Sequence, residues 1–103
     1  NAPRRPGDGG EQFRQAMDSR VLPALRKCAP DLILISAGFD AHEADPLANL
    51  RLVEADFAWA TTALLEIAAR HARGRVVSVL EGGYDLTALA RSVAVHVKGL
   101  MDA

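Results

Sequence analysis

Cysteine occurs once, at Cys28, which rules out a disulfide within the chain and suits a reducing compartment, so a cytoplasmic location is expected. No apolar run approaches the ~20 residues that a helix needs to cross a bilayer, and no membrane partner is expected. Charge of one sign is also lacking. Twelve basic and 13 acidic residues leave a net charge of −1, without the positive excess that holds nucleic acid or an anionic lipid surface. Aromatic residues are few: one Trp, one Tyr and three Phe. There is no internal repeat and no low-complexity tract. Residues 1–10 are polar and rich in Pro and Gly, without the apolar stretch of a signal peptide. Position 1 is Asn rather than Met, so the chain is expected to start at a processed or excised point.

What is present is enough apolar material for a core. Half of the 103 residues are hydrophobic, which argues for one compact domain or part of one and against disorder. From Glu11 to Cys28, the residues Phe13, Met17, Val21, Leu25 and Cys28 recur at spacings of four and three, as on one face of a helix. Pro23 lies inside that stretch and predicts a bend one turn before the end. Cys28 is expected to be a small buried hydrophobe. Residues 31–36 (DLILIS) and 75–80 (RVVSVL) are short apolar runs, expected as buried strands. Residues 54–71 predict a helix with Phe57, Leu64 (or Ala60), Ile67 and His71 along one stripe. Residues 86–100 predict another, capped by Asp85, with Leu86, Leu89, Val93, Val97 and Leu100 on its inner side.

Helices and strands therefore alternate, which points to an α/β fold with a parallel sheet. Two strands do not make such a sheet alone. They are expected to pair with strands outside the chain, or with a second copy through an exposed edge.

In a parallel sheet, ligands gather at the carboxyl ends of the strands. Two loops follow strands here. The first, residues 36–47, carries Asp40, His42 and Asp45. The second, residues 81–85, carries Tyr84 behind Gly82 and Gly83. Carboxylate and imidazole suit a divalent metal, and a phenol beside a metal can stabilise a developing oxyanion. The plain alternative is that the acids solvate a turn and the glycines make a tight bend.

Ser-Ala-Gly-Phe-Asp-Ala-His at 36–42, Asp-Pro-Leu-Ala at 45–48 and Glu-Gly-Gly-Tyr-Asp-Leu at 81–86 together resemble the second half of the histone deacetylase superfamily. The likeness is greatest to class II-like and bacterial members, including the acetylpolyamine amidohydrolase-like proteins, and covers nearly the whole chain. It implies the C-terminal part of a three-layer arginase/deacetylase-like fold, a parallel sheet with helices on both faces. It also implies that residues 1–103 are a fragment of one catalytic domain, which would remove acetyl or other acyl groups from lysine or polyamine amines.

By the same resemblance, Asp40 is a ligand of Zn2+ (Fe2+ accepts similar ligands) and Tyr84 the donor to the substrate carbonyl and tetrahedral intermediate. Leu47 lines the acyl tunnel, and Gly82 and Gly83 let substrate approach closely. The family's other aspartate and its histidine ligand come from an upstream Asp-x-His block, and a His-His pair handles protons. Neither occurs here: the only histidines are His42, His71 and His96. The chain is therefore expected to be inactive without its upstream half. His42 is not expected to be a ligand although Asp40-x-His42 has the upstream spacing, and His71 and His96 are expected to be structural or solvated. Val53 stands where relatives often have a capping Thr. Two other readings remain open at this point: a non-catalytic interaction module derived from this fold, and an arginase-like two-metal hydrolase, for which the clustered Asp and His ligands are too few.

Overall fold

The computed structural model describes residues 4–44 and 51–102. Its elements run α1 (Gly10–Ala16), a π-helical turn (Met17–Val21), α2 (Leu22–Cys28), β1 (Ile33–Gly38), α3 (Glu54–His71), β2 (Val76–Gly82) and α4 (Leu86–Met101). β1 and β2 pair in parallel, from Ile33 beside Val76 to Gly38 beside Gly82, with an irregularity between Ala37 and Gly38. Both strands thus end side by side at one edge.

The sheet's two faces differ. Ile33, Ile35 and Ala37 of β1 share a face with Val76 and Ser78 of β2, and the helices cover it. Met17, Leu22, Ile67, Ala68 and Ala72 pack on Ile33, while Phe39, Leu52 and Phe57 pack on Ala37. On the opposite face Leu34, Val77 and Val79 are 71%, 48% and 56% exposed. Among the described residues, only one side of the sheet is layered.

The first helix departs from its expected pattern for a clear reason. Pro23 has no amide to give the Ser19 carbonyl. The helix widens ahead of it, and the Leu22 amide reaches back five residues to the Met17 carbonyl. Such a turn holds one extra residue and shifts the helix phase. The distortion therefore precedes Pro23 rather than bending the chain after it. Leu22, not Val21, becomes the buried residue. Cys28 is carried off the buried face and is exposed, contrary to the expectation of a buried hydrophobe.

α3 spans the predicted residues, 54–71. Val53 at its N-cap offers no side-chain oxygen. Half of a capping box remains, because the Val53 amide donates to Asp56 Oδ2 at 3.0 Å. Asp56 is 4% exposed. Its other oxygen accepts from Arg14 Nε at 3.2 Å, and the Arg14 guanidinium lies 5.3 Å from the Trp59 ring centre. Gly10 leaves room for this carboxylate: a methyl group there would stand 2.3 Å from Oδ1. Asp56 thus ties α1 to the start of α3.

α4 is capped by Asp85, whose Oδ1 accepts from the Ala88 amide at 2.8 Å. Its fully buried line is Ala88, Ser92 and His96; of the expected stripe, Leu89 and Val93 pack half-buried against the Phe39 cluster. Leu86 and Val97 are exposed. Small side chains let α4 approach α3 closely, so that a methyl at Gly99 would sit 3.0 Å from Thr61 Cγ2.

Asp56→Ala is expected to destabilise the fold by about 2 kcal/mol, because it orphans the Val53 amide and the Arg14 bond together. Equilibrium urea unfolding measures this, with exposed Glu11→Ala as the near-neutral control. Burial holds the His96 imidazole below its usual 6.5. The folded state keeps it neutral, while the unfolded chain takes up a proton near that value. This contribution is complete above 6.5 and declines as pH falls below it. The slope of urea midpoint against pH below 6.5 should be shallower in His96→Gln.

Candidate functional site

The two loops expected to carry chemistry meet where β1 and β2 end. The Phe39 amide donates to the Gly82 carbonyl at 2.9 Å, continuing the ladder one residue past β1. Asp40 follows, and its carboxylate lies over Gly82. A methyl group on Gly82 would stand 3.4 Å from Cγ and from both carboxylate oxygens, and one on Gly38 would stand 3.1 Å from Oδ1. Two glycines therefore clear the space around Asp40. Gly83 has φ +135°, and a methyl there would lie 2.8 Å from Leu89 Cδ1. That backbone leads into Tyr84, 55% exposed, just ahead of the capped start of α4. The structure thus brings Asp40, Gly82 and Gly83 together, with Tyr84 on the same edge. Asp45 and Leu47 lie outside the described residues.

His42 is buried and turned to other work. Its Nδ1 accepts from the Ala44 amide at 3.0 Å. The proton is then on Nε2, which donates to Glu54 Oε1 at 3.1 Å. The ring stacks on Phe57 at 6.4 Å between centres. Both nitrogens are thus hydrogen-bonded within the turn. Glu54 closes the turn from the other side. Its own backbone amide, then His42 and the charge of Arg91, hold its carboxyl below the usual carboxylate range against an opposing effect of burial. The chain returning to α3 is laced to the same turn: the Glu43 amide donates to the Leu52 carbonyl at 2.8 Å, and the Leu52 amide to the Ala41 carbonyl at 3.0 Å. On the uncovered face, Ser36 Oγ donates to Glu81 Oε2 across the strands.

An apolar cavity of about 220 Å³ lies beneath the turn, lined by Phe13, Met17, Phe39, Phe57 and His96 among others. Neither Asp40 nor Tyr84 lines it.

Asp40 suits a metal as one donor: a hard carboxylate oxygen in a cleared space. It does not suffice. Among the described residues, no three His, Cys, Asp or Glu side chains gather to hold an ion.

Comparison with known proteins decides the family. Residues 1–100 match the family model of the histone deacetylase domain. The chain belongs to the histone deacetylase family. It is 46% identical over 84 residues to the histone deacetylase-like amidohydrolase of Pseudomonas aeruginosa, covering 82% of this chain and 22% of that protein. It is 44% identical over 94 residues to histone deacetylase 10, chloroplastic, of Oryza sativa, covering 91% of this chain and 21% of that one. Among solved structures, the histone deacetylase Clr3 superposes with a TM-score of 0.89 at 30% identity, over 99% of this chain and 17% of that chain. This deacetylase-family chain spans about a third or less of the curated relatives it matches. The α/β class and parallel sheet expected from the sequence are those of the family.

Three features of the site were not expected from the sequence: the His42–Glu54 pair, the Phe39 bond to Gly82, and His96 behind Phe39. The first two depend on a loop folding back, which leaves no periodic trace. His96 does leave one, since Ala88, Ser92 and His96 recur every fourth residue.

Gly83→Ala is expected to lower stability by about 2 kcal/mol, chiefly from the strain of an alanine at φ +135°, since the Leu89 methyl it meets can turn aside. Gly74 also has a positive φ, +74°, with nothing within 4 Å of where a methyl group would stand, so Gly74→Ala should lose only the strain part. Thermal melts should show the larger loss in Gly83→Ala, whose φ an alanine tolerates less well.

Proposed function

We propose that this chain is part of the catalytic unit of a zinc-dependent amide hydrolase that removes acetyl or other acyl groups from lysine or polyamine amines. The observation that carries this reading is the meeting of Asp40 with the Gly82-Gly83-Tyr84 loop at one edge of a histone deacetylase-family sheet. Asp40 would supply one ligand to Zn2+, held through its carboxylate over Gly82. The metal, when bound, polarises an amide carbonyl and makes its water more acidic.

The residues of this chain then do the following. Tyr84 donates its hydroxyl proton as a hydrogen bond to the oxygen on which charge develops. Gly82 and Gly83 keep side-chain bulk away from that oxygen and let the acyl group approach the backbone. Leu47 forms part of the acyl-group wall. The His42–Glu54 pair holds the Asp40 turn against α3, so that the carboxylate is preorganised. The other metal ligands and the proton-transferring groups come from the rest of the domain, which also covers the bare face of Leu34, Val77 and Val79. The isolated chain is accordingly inactive.

In the complete polypeptide, Tyr84→Phe is expected to lower kcat on an acetyl-lysine peptide or an acetylpolyamine by about 10²–10³-fold with zinc retained. Asp40→Asn is expected to lower the zinc content itself. The isolated chain, dialysed against a weak chelator, should keep close to no zinc by elemental analysis. One tightly held zinc per isolated chain would overturn the assignment of Asp40 as a lone contributor.

A further inference from the structure

His96 is the polar group buried behind both loops. Its ring is 7% exposed, where α3, β2 and α4 meet. Thr61 Oγ1 donates to the Phe57 carbonyl at 2.8 Å, so its only proton is committed. The 2.7 Å bond between Thr61 Oγ1 and His96 Nδ1 therefore has the ring N–H as donor. That leaves Nε2 as the acceptor, and Ser78 Oγ donates to it at 2.8 Å. Three hydrogen bonds thus run in one direction, from β2 through α4 to α3, and fix the tautomer of the ring. The edge of the same ring packs on Phe39 at 5.8 Å between centres, and Phe39 packs in turn on Phe57 at 5.1 Å.

These contacts fall on either side of both site loops. Phe39 is the residue before Asp40. Ser78 lies in the strand that delivers Gly82 and Gly83, and His96 rides on the helix that begins just after Tyr84. Packing alone does not ask for this residue, since a leucine would fill the space without the desolvation that neutralises the ring. The neighbouring turn of α4 makes the contrast. Ser92 Oγ is buried with no partner among the described residues, whereas both nitrogens of His96 are bonded.

We propose that His96 is a positioning residue for the site. It holds the Asp40 turn and the Tyr84 loop in a fixed relation by bonding β2 to α3 and bearing on Phe39. The catalytic consequence rests on the deacetylase reading given above; the positional one does not.

The test uses the complete polypeptide with His96→Leu, which removes both bonds at similar volume, and Ser78→Ala, which removes one. Residue-resolved hydrogen exchange compares two amides of the same strand region: Phe39, bonded to Gly82, and Ile33, bonded to the Arg75 carbonyl at the other end. Exchange at Phe39 is expected to accelerate about tenfold or more in His96→Leu, and less in Ser78→Ala, while Ile33 stays within about twofold. On an acetyl-lysine peptide, kcat should fall about tenfold in His96→Leu at nearly constant KM. Equal acceleration at both amides, or none at Phe39, would overturn the proposal by showing His96 to be core filling. If His96→Leu does not fold, Ser78→Ala decides by the same comparison. Wild-type polypeptide without amide hydrolysis would sink the deacetylase reading instead, and the exchange difference would still judge the positioning role.

Discussion

The bond from the Phe39 amide to the Gly82 carbonyl closes the parallel ladder at the point where both strands stop. Parallel pairing delivers two carboxyl ends to one edge, but it does not by itself say how their loops face each other. This bond does. The irregularity after Ala37 brings Gly38 beside Gly82, and the next residues then turn so that the Asp40 carboxylate lies over the second strand. Glycine at 38 follows from that placement, because a methyl group there would press on the carboxylate, while one at 82 would just touch it. Gly83 follows from the next step, where the chain must pass Leu89 with a positive φ on its way to Tyr84. The glycines of the motif are thus consequences of bringing a carboxylate and a phenol to one edge.

Below that edge the interior is more polar than a chain of this composition suggests. Asp56, Thr61, Ser92, His42 and His96 are all buried. With the exception of Ser92, each is bonded to something specific. Buried polar groups add little net stability when satisfied, but a misplaced register leaves them unsatisfied at a penalty of a few kcal/mol. Apolar packing would accept several offsets of α4 along α3. A histidine that must meet Thr61 on one side and Ser78 on the other accepts one.

Much of this is legible in the sequence, and the limits are physical. Residues 54–71 are legible in full because Phe57, Ile67 and their neighbours repeat with the helix period and acids precede them. Asp85 is legible because a cap is a local interaction. Both strands are legible, but β1 begins at Ile33 and runs to Gly38 rather than over 31–36. A strand's ends are set by where its partner lies, and nothing in DLILIS encodes Val76. The phase of the first helix is lost to one extra residue ahead of Pro23, which moves Leu22 inward and Cys28 outward. In α4 Leu89 and Val93 of the apolar stripe do pack inward, while close approach to α3 selects the small and polar residues of the fully buried line. Asp40, Gly82, Gly83 and Tyr84 stand out as a group because each motif directly follows a strand. The support given by Glu54 and His96 does not, because it comes from residues brought near only by folding.

The uncovered face of the sheet has a consequence for the life of the polypeptide. Among the described residues, Leu34, Val77 and Val79 present a dry strip beside Ser36 and Glu81, and the two-stranded sheet has no further strand paired at either edge. Strips of this kind add strands from whatever neighbour arrives first. Whatever meets that strip first, a covering layer or a second exposed edge, settles its fate. An uncovered strip of this kind makes solubility a matter of what is near the sheet, and not only of how well the helices pack on its other face.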